Sequence, residues 1–288
     1  MSWSSRHAAD SPRPDLRPWR NRAVWLTGAA LVALAALAWV VTIWQASSMS
    51  MSASSAMGGD ADMGTGQGMA GGMGAGLDAA AFVGAWAVMM AAMMLPSATP
   101  MIALYAATQR GRDAAGQPAL PTTLFAAVYL VVWAAIGVPV FLAGRALDAL
   151  TAALPDLAML LPYGVALVLL AAGLYQFSPL KRICLRQCQS PLGFLFGHWR
   201  PGRGGVLRLA LAHAGYCVGC CWGLMAVLVV AGAMGLPWVL LIAAAVFVEK
   251  VAPAGVWTAR LIGAALLALS VLVLIRPDLA ATLRGQTM

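Results

Sequence analysis

An imidazole, three thiols and a thioether stand at His213, Cys217, Cys220, Cys221 and Met225 of this chain. These positions are i, i+4, i+7, i+8 and i+12, which share one face of a helix with 3.6 residues per turn. Sulfur donors of this kind select Cu(I) or another soft metal over the hard cations magnesium and calcium. One such cysteine alone would read as a small apolar packing residue, and His213 alone as an interhelical hydrogen-bonding group. Together they point to buried soft-metal chemistry. No His follows the Cys-x-x-Cys directly, which disfavours c-type haem attachment. The second Cys-x-x-Cys of a zinc ribbon is also missing.

Two further groups carry sulfur. In Met89-Met90-Ala91-Ala92-Met93-Met94-Leu95-Pro96, the pair Met90 and Met94 lies one helical turn apart, as do Met89 and Met93. The small Ala91 and Ala92 admit a close neighbouring helix. Either pair serves as packing or as thioether ligands. Cys184 and Cys188 are likewise one turn apart in a basic stretch that begins at Pro179. There Lys181, Arg182 and Arg186 would favour thiolates able to hold a soft metal or exchange a disulfide. The plainer alternative is an interfacial basic helix whose cysteines act as small hydrophobes. Glu249 and Lys250 complete the set, because ionisable residues at a span either snorkel to the interface or act as charge partners for a cation or proton.

The elements that must position these groups are membrane spans. Only 10% of the chain is charged, against about 25% in soluble domains, and apolar runs exceed the roughly 18–20 residues that cross a bilayer. Expected spans are 23–44, 79–107, 121–144, 158–178, 206–233, 236–250 and 254–275. The short sixth run joins the seventh through Glu249-Lys250-Val251-Ala252-Pro253, as a hairpin, a broken helix or a re-entrant pair. The expectation is an all-α polytopic transmembrane helix bundle of six or seven spans, with the first span an uncleaved signal anchor.

Cations set the orientation. The basic tail 1–22 holds five Lys or Arg, the 109–120 connection two and the 179–208 connection six, whereas the opposite connections hold none, one and none. The positive-inside rule then places the N-terminus in the cytoplasm of a bacterial inner membrane. With seven spans the C-terminal tail 276–288, carrying Arg276 and Arg284, falls outside, a mild departure from that rule. The segment 45–78 becomes an extracytoplasmic, flexible Met/Gly-rich loop with Met49, Met51, Met57, Met63, Met69 and Met73 among Gly, Ser and Ala. These thioethers are either filler or a copper-catching surface.

A net charge of +8 does not argue for nucleic acid, since the cations sit in the tail and between spans with few aromatics interleaved. No phosphate-binding Gly-rich loop followed by Lys-Ser or Lys-Thr is present, so ATP hydrolysis has no support.

In combination, Met89 to Pro96, Pro179-Leu180-Lys181 through Cys184 and Cys188 to Gly193, Tyr216 to Met225, and Glu249-Lys250 resemble DUF2182, a bacterial family described as predicted metal-binding integral membrane proteins. The resemblance covers roughly 80–275, within an expected membrane domain of 79–275, and implies metal binding without naming the metal. The expected function is Cu(I) binding through Cys217, Cys220, Cys221, His213, Met225, Cys184, Cys188, Met90 and Met94. Glu249 and Lys250 are the expected charge partners, and the partners outside the chain are membrane lipid and a metallochaperone or metalloenzyme. Two alternatives stay open: a membrane thiol-disulfide oxidoreductase, and an assembly factor or subunit of a membrane metalloenzyme.

Overall fold

A computed structural model describes residues 22–56, 79–109, 119–200, 202–232 and 235–283. The described residues are almost wholly helical, with no strand among them. In chain order the helices are α1 (Arg22–Ala56), α2 (Ala79–Gln109), α3 (Ala119–Ala153), α4 (Leu161–Gln176), α5 (Pro179–Gln189), α6 (Pro191–His198), α7 (Gly202–Gly232), α8 (Leu236–Val251), α9 (Gly255–Ile275) and α10 (Asp278–Leu283), with a 3-10 turn at Pro155–Leu160 before α4.

Five helices are long and apolar enough to cross a bilayer: 24–48, 79–109, 121–153, 204–232 and 255–275. A sixth arises if α4 and α5 count as one span, bent by 64°. The sixth expected span, 236–250, is α8, whose 16 residues fall short of the roughly 20 that a bilayer requires. Helix α1 runs past its expected end at residue 44 and takes Met49 and Met51 with it. The rest of the Met-rich segment, 57–78, lies outside the described residues, as do the tail 1–21 and residues 110–118. Of the C-terminal tail, 278–283 forms α10.

Local chemistry accounts for the punctuation. Ser178 caps α5 by accepting a hydrogen bond from the Lys181 backbone N–H at 3.1 Å, and Pro179 occupies the first turn, where its missing N–H costs nothing. Gly232 ends α7 with φ +102°, a conformation that suits glycine. Helix α2 continues through Pro96 and Pro100. Beside these prolines the hydroxyls of Ser97 and Thr99 donate back to the carbonyls of Met94 and Leu95 at 3.0 and 2.8 Å.

Burial sorts the spans. Half or more of the apolar stretch of α2 and α7 is buried, 50% and 56%, against 22–28% for the other three. Helix α7 packs against α3, α4, α5 and α8, and α2 against α1, α3 and α8. The two sulfur-bearing helices therefore form the centre. The outer helices expose Trp25, Leu37, Trp44, Val131, Leu261 and Ile275, an apolar exterior that suits lipid rather than water.

Close crossings use glycine. At the contact of α4 with α9, a Cβ on Gly263 would lie 2.7 Å from Gln176 Cβ and 2.8 Å from the Phe177 ring. Gly263→Ala is therefore expected to overpack this crossing by about 1–3 kcal/mol, read as a lowered Tm of the purified protein in detergent. An unchanged Tm would show that α9 shifts without cost.

Candidate metal site

Helix α7 presents Cys217, Cys220 and Cys221 inward, each about 1% exposed, with all three sulfurs within 4.8 Å of one another. The spacing i, i+3, i+4 puts them on one face. The local backbone orients them further, because Cys220 Sγ and Cys221 Sγ both donate to the Cys217 carbonyl, at 3.1 and 2.9 Å. No disulfide forms among Cys184, Cys188, Cys217, Cys220 and Cys221.

The sharp bend after α4 brings in the second cysteine pair. Helix α5 docks on α7 and α8, and its Lys181, Cys184, Leu185 and Cys188 occupy i, i+3, i+4 and i+7, the inward face. Cys188 Sγ reaches within 3.8 Å of Cys220 Sγ. Cys184 sits over Gly219, where a Cβ would lie 2.8 Å from its sulfur. A side chain at Gly219 would force the Cys184 sulfur aside, so the glycine inside the Cys-x-x-Cys leaves that thiol room over α7. Helix α5 is thus docked on α7 and α8, where the plainer of the two readings of this stretch is an interfacial basic helix. The cause is that half of α5 is apolar or pairs with buried groups on α8.

Charge enters from α8. Lys250, 6% exposed, directs Nζ to Cys217 Sγ at 2.9 Å, Ser97 Oγ at 3.3 Å and Met94 Sδ at 3.8 Å. The Tyr129 hydroxyl of α3 lies 3.1 Å from the same Cys217 sulfur. Glu249, one residue earlier, forms a buried ion pair with Lys181 of α5 at 2.7 Å. Its backbone carbonyl accepts from Gln189 Nε2, also at 2.7 Å. Of the three cations expected beside the α5 thiols, Lys181, Arg182 and Arg186, Lys181 is thus paired with Glu249, and Lys250 contacts Cys217 directly.

The remaining expected ligands separate. Met94 joins the site through Lys250, while Met90, one turn earlier, and Met225, one turn beyond Cys221, are buried in the surrounding core. His213 lies among the rings of Phe125, Tyr129 and Phe194, with centroids 5.5–5.9 Å away, and its Nδ1 has no hydrogen-bond partner. Among the described residues it does not join the thiol group. Tyr129 and Ser97 are contributions that sequence reading missed. Tyr129 carries no signal at all in its apolar run, whereas Ser97 directly follows Pro96 in the methionine motif.

Two sulfurs on either side of an ion at about 2.3 Å lie up to about 4.6 Å apart. Cys188 and Cys220, 3.8 Å apart, fall inside that span, and the Cys217, Cys220 and Cys221 sulfurs lie within 4.8 Å of one another. The donor set, thiols with a thioether nearby and no carboxylate among them, belongs to soft-metal chemistry.

Fold and site together define a helical bundle with spans fit for a membrane and a buried thiol cluster fit for a soft metal. The chain belongs to the PpoB2 copper chaperone family, whose sequence model matches residues 83–273. That match covers all of the sulfur residues of α2, α5 and α7, and it excludes the Met-rich segment 57–78. No curated protein and no solved structure matches the chain.

Proposed function

We propose that this protein is an integral copper(I) chaperone of the bacterial inner membrane, with its N-terminus in the cytoplasm, holding Cu(I) between the thiols of α7 and α5. The observation that carries this reading is the approach of Cys188 to Cys220 at 3.8 Å beside the Cys217, Cys220 and Cys221 cluster. The family match supports copper as the cargo, and softness supports Cu(I) as its state. Thioethers of the outer loop and of Met90 and Met94 would deliver the ion. Cys217, Cys220 and Cys221 would hold it, and Cys184 and Cys188 would hand it to a metallochaperone or metalloenzyme partner. Ligand strength rises along that path, from thioether to thiolate. His213 and Met225, one turn to either side of the thiols on α7, would reach the ion only after leaving their present neighbours. The 3.8 Å thiol pair also suits a thiol-disulfide oxidoreductase, but the thioether at the cluster has no use in that chemistry.

Competition against a colorimetric Cu(I) chelator tests the joint site. Cys188→Ser is expected to weaken Cu(I) binding by at least about tenfold, the lower end of what even outer partners of metal ligands contribute. Unaltered affinity would remove α5 from the site.

A further inference from the structure

We infer that Lys250 is a specificity-determining residue of the thiol site, a fixed positive charge that favours a monovalent over a divalent metal; this rests on the Cu(I) reading above. An ammonium, the ordinary form of lysine, fits this place. Cys217 Sγ, Ser97 Oγ and Met94 Sδ surround Nζ at 2.9, 3.3 and 3.8 Å, and an ammonium offers three donors to meet them.

The adjacent carboxylate does not cancel this charge, because Glu249 is paired with Lys181 at 2.7 Å. Lys250 is also sealed from water, at 6% exposed, so its field is weakly screened. A metal about 2.3 Å from Cys217 Sγ lies at most about 5 Å from Nζ, given the 2.9 Å contact. At any such separation the ammonium repels a divalent ion twice as strongly as a monovalent one. Thiols alone do not make this distinction, since thiolates are also good ligands for zinc. Ser97 gives the side chain a second anchor, so the charge stays at the site when Cys217 turns to a metal.

The experiment measures Cu(I) and Zn(II) affinities by chelator competition on the full chain, purified in detergent under reducing conditions. The unaltered protein is compared with Lys250→Met, Lys250→Gln and Lys250→Arg. The two neutral variants are expected to narrow the preference for Cu(I) over Zn(II) by about tenfold or more, with Lys250→Arg retaining it. If Lys250→Met does not fold, as read by helical circular dichroism and gel filtration, Lys250→Gln against Lys250→Arg decides. Equal changes in both affinities, or an unchanged ratio, would overturn the role of Lys250 while leaving copper binding intact. Absence of Cu(I) binding by the unaltered protein would overturn the underlying reading and this inference with it.

Discussion

Replacing Cys217, Cys220 and Cys221 together with Ser is expected to abolish measurable Cu(I) binding while leaving the helices in place. Two effects separate here. The hydroxyl is a hard donor that a soft monovalent ion discriminates against, so the affinity loss should exceed the roughly 10–100-fold that outer partners of metal ligands contribute. The fold should tolerate the change, because serine at 220 and 221 can still donate to the carbonyl of residue 217, as both thiols now do at 3.1 and 2.9 Å. Chelator competition reads the first effect and far-UV circular dichroism the second. Retained Cu(I) affinity in a folded triple variant would move the metal elsewhere in the chain.

Glu249→Ala is expected to be the most destabilising single substitution in the bundle. Lys181 and Glu249 have side chains 1% and 2% exposed, and removal of one partner leaves the other as an uncompensated buried charge. Breaking such a pair costs about 3–5 kcal/mol, read as a lowered Tm in detergent. Replacing both members, Lys181→Met with Glu249→Leu, should recover most of that loss, since a buried ion pair gains little over well-packed apolar groups. The consequence reaches the site, because this pair and the Gln189 bond to the Glu249 carbonyl hold α5. The single variant should therefore also weaken Cu(I) binding through displacement of Cys188. A Glu249→Ala protein as stable as the unaltered one would mean that water reaches Lys181.

The helical bundle was legible because its signal is local. Long apolar runs give α1, α2, α3, α7 and α9 directly, and Pro179, Pro191 and Gly232 mark helix ends where their backbone chemistry requires them. Length was the weaker reading. The run at α8 looked like a span, yet its helix of 16 residues closes at Ala252, just before Pro253. The α7 thiol face was also legible, since three cysteines at i, i+3 and i+4 converge on any helix.

The meeting of the two cysteine groups was not legible. It depends on the 64° bend between α4 and α5, with a bare Gly219 leaving room for the Cys184 thiol, and neither is a periodic signal. Charge pairing was hidden for the same reason. Lys181 lies among arginines near Cys184 in the sequence but folds against Glu249, whereas Lys250, remote from every cysteine in the sequence, ends 2.9 Å from Cys217. His213 shows the converse, a residue on the right helical face whose ring is taken up by Phe125, Tyr129 and Phe194.

The central claim, that the buried thiols hold copper, is tested most directly by the metal content of the unaltered protein. It would be purified under reducing conditions, supplied with Cu(I), freed of loose metal and measured by inductively coupled plasma mass spectrometry. The account predicts at least equimolar copper, with all five cysteines free of disulfide. Substoichiometric copper accompanied by a trapped Cys188–Cys220 disulfide would contradict it and turn the same sulfurs into a redox pair.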